Sequence, residues 1–87
     1  MIKFSSEILT QEVGGETVIL DLKTESYFGL DETGTRIWQL LQEQKDIQSI
    51  TETMLNEYDV EEDQLKKDIQ NLLSKLNEAG LITLNSD

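Results

Sequence analysis

The chain has 87 residues, 18 acidic against 7 basic, and a formal net charge of −11. It contains no Cys and no His, which excludes disulfides, thiolate or imidazole metal sites, and catalysis by either side chain. An acidic field repels phosphates and argues against nucleic-acid binding, and the length fits one domain, 1–87, with a small core and no deep cofactor cavity.

The N-terminus, Met1-Ile2-Lys3-Phe4-Ser5, has no long apolar run. Neither a secretory signal nor a membrane span is expected, and the expected address is the cytoplasm. Ile8 to Val13 reads as a first strand. Gly14-Gly15 follows, a two-residue hairpin signal with positive φ. Glu16 to Leu22 is the clearest strand, and its apolar stripe is read as Val18, Leu20 and Leu22. Lys23-Thr24 marks the next turn. Glu25 to Leu30 is a third strand, with Phe28 and Leu30 on one face and Tyr27 on the other.

Three helices are expected after it. The first runs from Glu32 to Gln44, capped by Asp31, with Ile37, Trp38, Leu40 and Leu41 on its apolar face. Gly34, near its start, costs helix stability for no reason legible in the sequence. The second opens at Asp46, and Ile47, Ile50, Met54, Leu55 and Tyr58 make its stripe. The third takes Asp59 as cap and Glu62 as capping-box partner, with Glu61, Glu62 and Asp63 at the positive end of its dipole. Leu65, Ile69, Leu72, Leu73 and Leu76 line one side of it. Gly80 is the left-handed stop, Thr83 and Leu84 extend beyond it, and Asn85 to Asp87 are expected to fray. Strands first and helices second make an α+β fold: a three-stranded antiparallel sheet followed by three helices, arranged like a winged helix-turn-helix.

Little in the chain suggests chemistry. Glu61-Glu62-Asp63 and Asp31-Glu32 sit at helix starts and read as caps, not as acid–base pairs. The Asp59 to Asp63 run lacks the glycine of a Ca²⁺ loop. Gly14-Gly15 precedes a strand, so it is a poor phosphate cradle, and Thr33-Gly34-Thr35 has acidic neighbours. No metal or cofactor is expected. Trp38 and Tyr58 read as core, whereas Tyr27 reads as partly exposed beside any groove. A small sheet edge next to a helix is the one feature that could hold a ligand, and that ligand would be an extended peptide.

Leu20-Asp21-Leu22, Tyr27-Phe28-Gly29-Leu30, Gly34-x-x-Ile37-Trp38-x-Leu40-Leu41, Tyr58-Asp59-Val60, Asp68-Ile69 and Gly80-Leu81-Ile82 occur in this order. Over about Thr17 to Ile82 the chain resembles the PqqD-like proteins, also called RiPP precursor-peptide recognition elements. It departs from them at Glu25, where the family commonly has Gly at a turn. The resemblance implies a non-catalytic domain that binds the leader of a ribosomally made precursor peptide. The leader would add as a strand to Glu25, Ser26, Tyr27, Phe28, Gly29 and Leu30, against Lys66, Ile69, Gln70, Leu73 and Leu76 of the third helix. It further implies partners: a separate leader peptidase of the cysteine-protease type and a cyclase, as in lasso-peptide maturation, which is the favoured assignment. A PqqD-type peptide chaperone in pyrroloquinoline quinone biosynthesis is the alternative. A winged-helix DNA-binding regulator fits less well, because Lys66, Lys67 and Lys75 lie among Glu61, Glu62, Asp63, Asp68 and Glu78.

Overall fold

The computed structural model describes residues 2–43 and 46–84. Five strands and three helices follow in the order β1 (Ile2–Phe4), β2 (Ile8–Val13), β3 (Glu16–Asp21), β4 (Ser26–Leu30), α1 (Glu32–Gln42), α2 (Ile47–Glu57), α3 (Glu62–Glu78) and β5 (Ile82–Leu84). The antiparallel sheet β2-β3-β4 and the three helices behind it are the expected architecture. The expected Gln44 end of the first helix and the Asn85 to Asp87 tail lie outside the described residues.

An unexpected second sheet pairs β1 with β5, Ile2 opposite Leu84 and Phe4 opposite Ile82. It ties the N-terminal segment to the strand that leaves α3. Ser5 N–H donates to the Leu81 carbonyl at 2.9 Å, and the Phe4 ring meets Trp38 edge-on, centroids 5.1 Å apart. Three residues are too few to carry a periodicity signal, so only the extended segment at Thr83 and Leu84 was legible.

The β2–β3 turn is built as expected. Gly14 and Gly15 have φ of 61° and 84°, as a type I′ turn requires. The β3 stripe is not. Thr17, Ile19 and Asp21 face the helices, and Ile19 is 0% exposed. Val18, Leu20 and Leu22 share the opposite face, where Val18 is 44% and Leu22 49% exposed. Alternation identified two faces, but the face with more apolar residues is the one left in solvent. The buried one accommodates Thr17 because its hydroxyl donates to Thr35 Oγ1 at 2.8 Å.

The core joins Ile19 and Leu30 of the sheet to Ile37, Trp38, Leu40 and Leu41 of α1, Ile50 and Met54 of α2, and Leu65, Ile69, Leu73 and Leu76 of α3. The helix starts show why these residues coil where they do. Asp31 caps α1 by accepting the Gly34 N–H at 2.8 Å, and Asp46 caps α2 by accepting the Ser49 N–H at 2.7 Å. Gly34 now has a reason: a Cβ there would lie 3.2 Å from the capping Asp31 oxygen and 3.4 Å from Leu30.

Two helix readings are corrected. Tyr58 is the residue after α2, in extended conformation and exposed, not part of a buried stripe. The N-cap of α3 is Glu61, which makes no side-chain cap bond, so neither Asp59 nor a capping box opens this helix. The dipole still receives Glu62 and Asp63 in the first turn. At the far end Gly80 has φ 78°, its N–H donates to Asn77, and the Leu81 N–H donates to Leu76 at 3.0 Å. That is a Schellman stop.

Candidate functional site

β4 is an edge strand, with β3 on one side and no strand on the other among the described residues. Which of its main-chain groups are free follows from the register. Leu22 N–H donates to the Glu7 carbonyl at 2.9 Å, one step beyond the Ile8↔Asp21 pair. Main-chain groups alternate sides along an antiparallel strand. Leu22, Leu20, Val18 and Glu16 therefore turn theirs to β2, while Asp21, Ile19 and Thr17 turn theirs to β4. The two-residue turn agrees, because it closes on a hydrogen-bonded pair, here Val13↔Glu16. Opposite Asp21, Ile19 and Thr17 stand Ser26, Phe28 and Leu30. Tyr27 and Gly29 are left with their N–H and C=O groups directed out of the free edge.

Side chains alternate across the same strand. Phe28 and Leu30 turn to the helices, half-buried and buried, as expected. Tyr27 is on the outer face and 77% exposed. There it stands opposite Leu20, which in turn stands opposite Leu9. Five of the exposed large apolar side chains, Leu9, Val13, Val18, Leu22 and Tyr27, share this outer face. Gly29 is on it too, and a Cβ there would meet nothing within 4 Å. Among the described residues no contact requires that glycine.

The turn into β4 shows how Glu25 is accommodated. Its φ is 58°, the left-handed conformation in which glycine is at ease. Asp21 Oδ1 accepts the Lys23 N–H at 2.9 Å and shapes the same turn.

A cavity of about 110 Å³ opens beside the start of β4, lined by Ile19, Asp21, Ser26, Tyr27, Phe28, Ala79 and Leu81. Its floor is the helix-facing side of β3 and β4, and its far wall is the end of α3. Ile19, Asp21, Ala79 and Leu81 were not among the expected site residues. Leu81 and Ala79 belong to the helix stop, whose position over β4 depends on the β1–β5 pairing and not on any local pattern.

The expected α3 residues divide. Ile69, Leu73 and Leu76 are buried in the core. Lys66 and Gln70 are exposed, and Lys66 Nζ pairs with Glu62 at 2.9 Å. Hydrogen bonding to Glu62 raises the Lys66 pKa, so it stays a cation. No group of three or more acidic side chains among the described residues converges as a metal site, and no described helix is long and apolar enough to cross a membrane. The arrangement offers main-chain donors and acceptors at an edge, an apolar sheet face and a small half-polar cavity. It is suited to holding an extended chain.

The family of coenzyme PQQ synthesis protein D (PqqD) matches this chain over residues 16–82. Two solved structures are similar along nearly the whole length. TbiB1 in complex with the TbiA(β) leader peptide is 34% identical, with a TM-score of 0.89, covering 98% of this chain and 99% of that one. Lasso peptide synthetase B1 complexed with the leader peptide is 25% identical, with a TM-score of 0.88, covering 95% of this chain and 98% of that one. No curated protein matches the chain.

Proposed function

This chain belongs to the PqqD family, and we propose that it binds the leader segment of a ribosomally made precursor peptide by strand addition to β4. The observation that carries the proposal is the free edge at Tyr27 and Gly29, next to the cavity at the end of α3. Unpaired edges invite aggregation and are normally blunted. Here the edge is short and acts as the receptor. Main-chain bonds supply affinity and register, and pockets for alternate side chains supply selectivity.

The proposed contact set is Glu25 to Leu30 along the edge, with exposed Lys66 and Gln70 on α3 and the buried Ile69, Leu73 and Leu76 as the apolar floor behind. The domain binds without catalysing. Its task is to present the leader to a separate peptidase and to a cyclase in the cytoplasm. The two similar B1 structures, both holding a leader peptide, favour a lasso-type pathway.

The test is a titration with the leader encoded beside this chain, read by amide shifts and hydrogen exchange. Binding at micromolar or better is expected, with the Tyr27 and Gly29 amides newly protected. Binding that leaves both amides unprotected would sink strand addition at this edge.

A further inference from the structure

Asp21 combines burial with an incomplete set of partners. It is 7% exposed, on the helix-facing side of β3. One carboxylate oxygen accepts the Lys23 N–H, and no other hydrogen bond or cation reaches the group among the described residues. A turn acceptor alone does not need a charge, since an Asn oxygen serves equally well. The other oxygen is not sealed from solvent, and an ionised carboxylate can only accept hydrogen bonds.

The cavity that Asp21 lines mixes polar and apolar surface. Ile19, Phe28, Ala79 and Leu81 form its walls, and the Ser26 hydroxyl is shared with Thr24 Oγ1 at 2.6 Å. A guest completes this site if it has an apolar body and a hydrogen-bond donor at the tip. A strand added to β4 delivers such a guest, because every second side chain of that strand turns toward the helices beside Ser26 and Phe28.

We infer that this cavity selects one residue of the bound peptide, an apolar side chain ending in a donor, with Asp21 as the acceptor. A Lys or Arg side chain and a Tyr phenol both have that chemistry. The inference rests on strand addition to β4 and assigns a side-chain preference within it.

The decisive variant is Asp21→Asn, which retains the oxygen for Lys23 and removes the charge. The leader is changed to norleucine one position at a time and titrated against both proteins. One position is expected to lose at least tenfold with the natural protein and less than threefold with Asp21→Asn. At that position Lys→Arg retaining affinity identifies a cation, whereas Tyr→Phe losing it identifies a phenol. If no position distinguishes the two proteins while Tyr27 and Gly29 still gain protection, Asp21 only shapes its turn and the inference falls, leaving strand addition intact. If the leader does not bind, strand addition falls instead. The cavity is then probed with n-pentylammonium, p-cresol and hexanoate at millimolar concentration. Amide shifts at Ser26 and Leu81 from either donor probe and not from hexanoate support the preference, and any other ranking overturns it.

Discussion

Leu20 and Tyr27 stand opposite each other across the β3–β4 ladder, on the sheet face turned away from the helices. A cross-strand pair of this kind packs its two members against each other but shields neither from solvent. The sheet therefore has one face inside the core and one apolar face outside it. Contiguous exposed apolar surface marks interaction sites, and a strand added beside Tyr27 would widen this one.

Tyr27→Ala is expected to weaken leader binding at least tenfold while lowering stability by less than about 1 kcal/mol, because so exposed a ring has little burial to lose. Calorimetric titration and thermal unfolding of the same sample check both halves. A collapse in stability with unchanged affinity per folded molecule would make Tyr27 a structural residue.

The face assignment on β3 has a sharp consequence. Ile19→Ala should cost about 2–5 kcal/mol, the range for a fully enclosed aliphatic side chain. Val18→Ala, one residue away, should cost less than about 1 kcal/mol. Urea unfolding of both variants decides it. Equal costs would mean that the outer face is covered in solution.

The register makes Phe28 and Gly29 unequal. Proline has no N–H, so it is tolerated at an edge position whose N–H points outward and damaging where the N–H closes the ladder. Gly29→Pro should fold, with at most modest loss of stability, and fail to take up the leader. Phe28→Pro removes a bond to Ile19 and should be less stable than Gly29→Pro by at least about 1 kcal/mol. Circular dichroism melts give the stabilities, and calorimetry on the folded fraction gives the binding. The opposite ranking would shift the assumed pairing by one residue.

Glu25 is held at φ 58°, where an L side chain crowds its own backbone. Glu25→Gly relieves that crowding but adds freedom to the unfolded chain. The net change expected is a gain of about 0.5–1 kcal/mol, seen as a higher unfolding midpoint. A loss would mean that the Glu25 side chain contributes a contact of its own.

Helix positions, the caps of α1 and α2 and the turns were legible because each depends on neighbours in sequence, whereas the start of α3 was misread. Asp31, Gly14-Gly15 and Gly80 carry their own geometry, and the apolar spacing in α1 and α3 is plain. Glu25 at a left-handed turn was visible only as a departure from the family's Gly. What could not be read was long-range. Ile19 sits between polar Thr17 and Asp21, so its stripe scored below that of Val18, Leu20 and Leu22. The burial of Thr17 depends on Thr35, and that of Asp21 on the cavity it shares with the end of α3. The cavity's far wall depends on β1 pairing with β5, a contact spanning the chain. The edge strand of the site was legible as a strand, but the cavity beside it was not.

Arg36 and Glu57 give the fold a measurable pH response. Arg36 Nε reaches Glu57 Oε1 at 2.8 Å and its Nη2 reaches Oε2 at 2.6 Å, a two-point clamp from α1 onto the end of α2. Arg36 Nη1 also donates to Gln39, which in turn donates to Glu12 on β2. Hydrogen bonding to Arg36 is the main cause that holds the Glu57 carboxyl below the usual carboxylate range, and the same bond raises Arg36 further. The folded pKa of Glu57 is therefore depressed, so the folded state binds fewer protons than the unfolded state between the two values. Stability from this pair is fully present above the ordinary carboxylate range and is lost as pH falls through the depressed folded value. Arg36 stays charged throughout. Glu57→Gln should thus unfold more easily than the natural protein at neutral pH, and the gap should close in acid. The pair is solvent-exposed, so the gap should also shrink in high salt. Unfolding midpoints of both proteins from pH 7 down to about pH 2, at low and high salt, test the sign. A gap that widens in acid would show that Glu57 gains nothing from Arg36.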